Sequence, residues 1–258
     1  MAHQGFLPPS AWPPPPWLDS PLGQRLLARE RALVAEELEQ AFGDHLVQVG
    51  SWGEPGTFLA SARTRRAGLL DSAPGPGVHV VGAYDALPLA THSVDVLLLP
   101  HTLEHAPSPH ALLREADRVL RPDGRVIILG LSPFSPMGLR RAASTGRFPP
   151  QCARFVSEHR VRDWLQLLDC QVRRQHRYLF GWPMQRGPGE SRQQAIDQWC
   201  DRWLPLPASC GYLLAAQKRQ ARITAQRLAW RRRLRVVGGL VDAEPSARQG
   251  ASARNSSS

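Results

Sequence analysis

Residues 93–130 read SVDVLLLPHTLEHAPSPHALLREADRVLRPDGRVIILG, and two apolar runs inside this stretch decide the fold. The first, VDVLLL at 94–99, is bounded by Ser93 and Pro100. It is far shorter than the ~20 residues of a membrane helix and has the length of a strand buried on both faces. The second, RVIILG at 125–130, has the same character. Between them Leu112, Leu113, Ala116, Val119 and Leu120 recur at helical spacing over residues 109–120, and Arg121-Pro122-Asp123-Gly124 supplies the turn that ends the helix. Strand, helix and strand at this spacing predict two parallel strands joined by a crossover.

The same alternation extends toward the N-terminus. HLVQVG at 45–50 reads as a buried strand ending in glycine, residues 55–64 as a short helix opened by Pro55, and residues 67–70 as a strand ending at Asp71. The loop SAPGPG at 72–77 leads into a third short strand at 78–82. The expected fold is therefore α/β, a doubly wound, mostly parallel sheet with helices on both faces. An earlier helix is capped by Ser20 and opened by Pro21. Leu22, Leu26, Leu33, Leu38 and Phe42 form its apolar stripe, Arg25, Arg29, Glu30, Glu36 and Glu37 its polar face, and Gly43 its stop. Beyond residue 131, SPFSPMG at 132–138 reads as a loop and residues 157–168 as a helix capped by Ser157. Residues 171–179 and 212–216 read as late strands forming an antiparallel edge hairpin. The expected organisation is a Pro-rich arm at 1–19, a helix at 20–44, a ligand-binding core at 45–131, a segment at 132–217 that completes the sheet, and a basic tail at 218–258.

The chain has 258 residues, 42% of them hydrophobic, enough for one α/β domain with additions. The start MAHQGFLPPSAWPPPPWLDS lacks the charged and apolar regions of a secretory signal, so a cytoplasmic location is expected. Cys152, Cys170, Cys200 and Cys210 form no C-x-x-C pair, which points to free thiols and away from a disulfide framework or a zinc site. The net charge of +10 comes almost wholly from arginine, with Lys218 the only lysine. Residues 218–235, KRQARITAQRLAWRRRLR, carry eight basic residues and no acidic one. This is the composition of an RNA-contacting or membrane-surface element, and equally of a solvated tail.

In an open α/β sheet, ligands sit at the carboxyl ends of the strands, beside the point where strand order reverses. That places Gly50–Gly56 (GSWGEPG), Asp71, residues 83–85 and residues 100–105 around one crevice.

At these positions the chain resembles the methyltransferase type 11 group of class I S-adenosylmethionine (SAM)-dependent methyltransferases. The resemblance rests on ALPL (86–89), SVD (93–95), LEH (103–105) and L-x-E-x-x-R-V-L-x-P-x-G (113–124), followed by the apolar strand. It covers roughly residues 45–131, and it implies a Rossmann-like core, a SAM cofactor and methyl transfer to an acceptor, more in keeping with a small molecule than a macromolecule. Carried over residue by residue, it implies a cofactor site made of Gln48, Gly50, Ser51, Trp52, Gly53, Asp71, Ala83, Tyr84, Pro100 and His101, with no metal. Asp71 takes the position that accepts from the ribose hydroxyls. The motif departs from the family pattern at Gln48, Trp52 and Glu54, where an acid and further glycines are usual, and at Ala83, where an acid contacts adenine. His101, and after it Glu104 or His105, is the candidate general base for acceptors that have a proton to lose; the other reading makes His101 a wall of the cofactor pocket and His105 the cap of a turn.

Other readings stay open on the sequence. His101-Thr102-Leu103-Glu104-His105 fits H-x-x-E-H, but a zinc motif of that kind needs a long helix, and Pro100, Pro107 and Pro109 surround this one. Gln48, Trp52 and Ala83 suit a catalytically inactive methyltransferase-like binding protein. The arginine tail suits an RNA methyltransferase or RNA-binding protein. Glu115 and Arg118 read as a structural pair at helical spacing.

Overall fold

A computed structural model describes residues 16–143, 152–180 and 209–219, together with residues 192, 195, 199 and 200. All belong to a compact unit spanning Met1–Ala221; a second unit, Arg222–Ser258, lies outside the described residues, as do most of the Pro-rich arm and almost all of the basic tail.

The elements run α1 (Pro21–Glu39), β1 (His45–Val49), β2 (Arg66–Asp71), β3 (Val80–Val81), β4 (Val94–Pro100), α2 (Thr102–His105), α3 (Pro109–Val119), β5 (Leu120–Leu131), α4 (Pro136–Ala143), α5 (Glu158–Leu167), β6 (Cys170–Phe180) and β7 (Ser209–Lys218). The sheet order is β3-β2-β1-β4-β5-β7-β6. Pairings from β3 through β5 are parallel, and β7 is antiparallel to both β5 and β6. The α/β doubly wound sheet and its antiparallel edge are thus as the periodicity predicts.

β4 shows why the apolar run is continuous. Val96 and Leu98 face one core with Leu22, Leu26, Leu33 and Leu38 of α1, while Leu97 and Leu99 face the other with Leu112, Leu113 and Ala116 of α3 and Val161 and Leu165 of α5. A strand covered on both faces has no polar side to alternate with. The Ser20, Ser108 and Ser157 hydroxyls cap α1, α3 and α5 by accepting from the third residue onward. Glu115 and Arg118 pair at 2.7 Å. They also clamp the segment before β4: Glu115 accepts from the Leu87 amide, and Arg118 donates to the Leu87 and Leu89 carbonyls.

Several expectations need correction. The helix expected at 55–64 is a single 3-10 turn, Leu59–Ser61. Gly53 and Gly56 sit at positive φ and, with Pro55, hold the segment in turns that the helical geometry cannot include. The third strand is only Val80–Val81, because its pairing to β2 ends at Asp71. Residues 136–138, read as loop, open α4, where the Ser135 hydroxyl accepts from the Gly138 amide. The helix α1 ends at Glu39, leaving Phe42 outside the stripe and 70% exposed. Glu30 and Glu37, assigned to the polar face, are buried.

One close approach gives a stability test. Gly130 of β5 pairs with Tyr212 of β7, and a Cβ on Gly130 would lie 2.3 Å from the tyrosine ring. The ring is tied down, since Tyr212 donates to the Val156 carbonyl at 2.9 Å. Gly130→Ala is expected to destabilise the protein by about 1–3 kcal/mol through overpacking, read from urea melts.

Candidate active site

The site expected at the carboxyl ends of β1, β2 and β4 starts with Gly50. Its φ is +90°, and a Cβ there would lie 3.0 Å from the Thr102 hydroxyl and 3.4 Å from the Tyr84 hydroxyl. Any side chain would be strained by the backbone and crowded by Thr102. The Thr102 hydroxyl donates to the Val49 carbonyl, so the end of β1 is tied to the first residue of α2.

Asp71, at the end of β2, is 1% exposed. Its Oδ2 accepts from the Ser51 amide at 2.9 Å and from the Ser51 hydroxyl; its Oδ1 accepts from the Ser72 amide at 2.6 Å and the Tyr84 hydroxyl at 2.8 Å. One carboxylate therefore brings Ser51 and Tyr84 together. Gln48 folds forward along β1 and donates from Nε2 to the Gly50 carbonyl at 2.9 Å. Its Oε1 is buried and has no hydrogen-bond partner among the described residues. Ala83 is exposed, at the margin of this group, and Pro100 is buried at the end of β4.

His101 follows Pro100 in a left-handed conformation, φ 56° and ψ 11°. This is uncommon for a residue with a side chain and frequent where a site holds its backbone under constraint. The ring is fully buried. Its Nε2 lies 2.8 Å from Glu30 Oε1 and its Nδ1 3.0 Å from Glu104 Oε2. Glu30 also accepts from Trp52 Nε1 at 2.8 Å and from the Tyr178 hydroxyl at 2.9 Å. Glu104 accepts from the Leu131 amide and from Cys152 Sγ. The Trp52 indole packs on the His101 ring, centroids 4.1 Å apart, and Trp17 meets it edge-on at 5.8 Å. Trp52 is only 3% exposed.

The electrostatics follow from this packing. Burial alone would lower the His101 imidazolium pKa, but the carboxylates of Glu30 and Glu104 outweigh it and push it up to about 10. Burial raises the Glu104 carboxyl, against the opposing pull of His101. The Tyr178 hydroxyl is raised by burial and by the neighbouring Glu30, and the Cys152 thiol by burial and Glu104, so both stay protonated. Neither ring nitrogen of His101 is open to a further partner. Among the described residues no group of His, Cys, Asp and Glu could hold a metal ion. The short α2 does not put His101 and His105 on one helix face, since His101 precedes it.

The sequence reading brought Gln48, Gly50, Ser51, Trp52, Asp71, Tyr84 and His101 to one region, and the structure places them there. It missed Glu30, Tyr178 and Cys152. For Glu30 a signal existed: it stands four residues after Leu26, three after Leu27 and three before Leu33, on the centre line of the apolar stripe.

A family model described as a methyltransferase domain matches residues 56–128. The uncharacterized protein YafS of Escherichia coli (strain K12) is 36% identical over 170 residues, covering 66% of this chain and 68% of that protein. The chain belongs to the class I methyltransferases, in the type 11 family. An uncharacterized methyltransferase of Mycobacterium avium (strain 104) is 33% identical over 158 residues, 52% of this chain and 60% of that protein. Among solved structures, a SAM-dependent methyltransferase from Thermotoga maritima superposes with a TM-score of 0.53 at 19% identity, covering 75% of this chain and 92% of that one, a likeness of fold. Within this methyltransferase, no helix among the described residues is long and apolar enough to cross a membrane.

Proposed function

We propose that this methyltransferase uses SAM as donor, bound where β1, β2 and β4 end, and transfers the methyl group to a small-molecule acceptor. The observation that carries this reading is the unpartnered, buried Gln48 Oε1 beside the Gly50 carbonyl. A buried acceptor without a donor is costly, and the amino group of a bound methionine moiety would supply one. Asp71 suits the ribose hydroxyls, which would exchange with the Ser51 and Tyr84 hydroxyls now held there. Gly50, with Ser51 and Gly53, lets backbone approach the ligand. Ala83 and Tyr84 border the adenine side, and Pro100 and His101 the methyl side. Beyond β5, the described residues 132–143 and 152–180 are the candidate acceptor wall.

SAM brings an activated methyl group, so the protein's part is positioning and exclusion of water. His101 fits a positioning role better than that of a base, since both nitrogens face carboxylates and the ring holds its proton at neutral pH. Trp52, filling the loop that usually carries glycines, favours a second reading: a ligand-binding protein without turnover.

Isothermal titration of the full chain with SAM and with S-adenosylhomocysteine (SAH) tests this. Binding is expected in the micromolar range, weakened about tenfold or more in Asp71→Ala by loss of charge-assisted hydrogen bonds, and in Gly50→Leu by crowding. A well-folded wild type that takes up neither ligand would end the donor reading. Binding without turnover across a broad acceptor screen would leave the second reading.

A further inference from the structure

The buried cluster has a net charge that its hydrogen bonds reveal. An indole N–H only donates, so Glu30 Oε2 is an acceptor toward Trp52. Glu30 Oε1 accepts from Tyr178 and shares one proton with His101 Nε2. Glu104 Oε1 accepts from the Leu131 amide, and its Oε2 faces His101 Nδ1 and the Cys152 thiol. A single proton lies between Nδ1 and Oε2. Whichever atom holds it, two acids and one imidazole together carry one net negative charge. Among the described residues no lysine or arginine side chain bonds to either carboxylate. The side chains of Glu30 and His101 are 0% exposed and that of Glu104 1%.

A buried negative charge with no cation bonded to it favours any cation brought near it. The cluster stands at the ends of β1 and β4, the neighbours between which strand order reverses, and its Trp52 belongs to the loop that follows β1. From this juxtaposition we infer that the Glu30–His101–Glu104 cluster is a charge-selective wall of the donor site: it favours the cationic sulfonium of SAM over the neutral thioether of SAH. Glu30, contributed by α1, is its specificity-determining residue. The inference rests on the donor reading above. Its chemical consequence is asymmetric binding. The donor carries the charge that the wall lacks, whereas the product, one methyl and one positive charge poorer, loses that attraction and leaves.

The test is a comparison of dissociation constants on the full chain for SAM, SAH and sinefungin, whose ammonium stands where SAM has its sulfonium. In the wild type both cations are expected to bind about tenfold or more tightly than SAH. Glu30→Gln should bring the ratio toward one by weakening the cations and sparing SAH. Tyr178→Phe, which removes a hydrogen bond and no charge, should keep the ratio. Glu104→Gln removes the equivalent charge from the other side of the imidazole and serves should Glu30→Gln not fold. Equal wild-type affinities for SAM and SAH would overturn the inference and leave the donor reading intact. A ratio unchanged in folded Glu30→Gln or Glu104→Gln would overturn it as well, and absence of all binding would overturn both.

Discussion

His101→Ala is expected to lower stability by about 3–5 kcal/mol, because it removes the one partner shared by two buried acids. For a domain of this size that is a fall in melting temperature on the order of 10 °C. The two carboxylates would lose the proton between them, and Trp52 would lose the ring on which it packs. Glu30 would keep its bonds from Trp52 and Tyr178, and Glu104 its bonds from Leu131 and Cys152. The loss is thus dominated by like charge left unbridged, and Glu104→Gln on the His101→Ala background should restore part of it. Equal melts for wild type and His101→Ala would mean that the ring carries no net electrostatic weight.

The same ring sets a pH dependence. His101 is raised from 6.5 to about 10 by folding. Between those values the folded state binds a proton that the unfolded state does not, so unfolding free energy falls as pH rises. The contribution is complete below 6.5 and lost through about pH 10. Urea midpoints taken across this window should decline in the wild type and be flatter in His101→Ala.

The framework of the fold was written in the sequence because its signals are local. The run at 94–99 declares a strand covered on both faces, and the serines at 20 and 157 declare helix starts. Asp71 and Gly50 could be found because strand ends and glycines mark themselves. What was hidden is long-range. Glu30 reaches His101 across 71 positions of sequence, and Tyr178 reaches Glu30 across 148. A glutamate within an amphipathic helix reads as surface by type, and only its place on the stripe contradicts that. His101 illustrates the other side of the problem. Its residue type suggests a base, but the neighbours that fill both nitrogens come from α1 and α2 and are not predictable from the motif.

Trp52→Ala is expected to act in opposite directions on stability and on ligand binding. Truncating a buried tryptophan costs about 3–5 kcal/mol in lost contacts and cavity, and Glu30 Oε2 would also lose its donor. Yet the indole occupies the loop between Gly50 and Gly53, packed under Trp17 and onto His101. If a ligand's methionine end enters there, the indole must be displaced first, and its burial energy opposes binding. Removing it would then raise SAM affinity by about tenfold or more even as the apo protein melts earlier, since a binding-competent state that is rare in the wild type becomes the resting one. Thermal melts with and without SAM separate these effects: a lower apo melting temperature together with a larger SAM-induced upward shift is the expected pair. A lower melting temperature with an unchanged or smaller shift would make Trp52 a fixed part of the ligand's wall, and the donor would then have to reach Gln48 and Asp71 past an indole that stays in place.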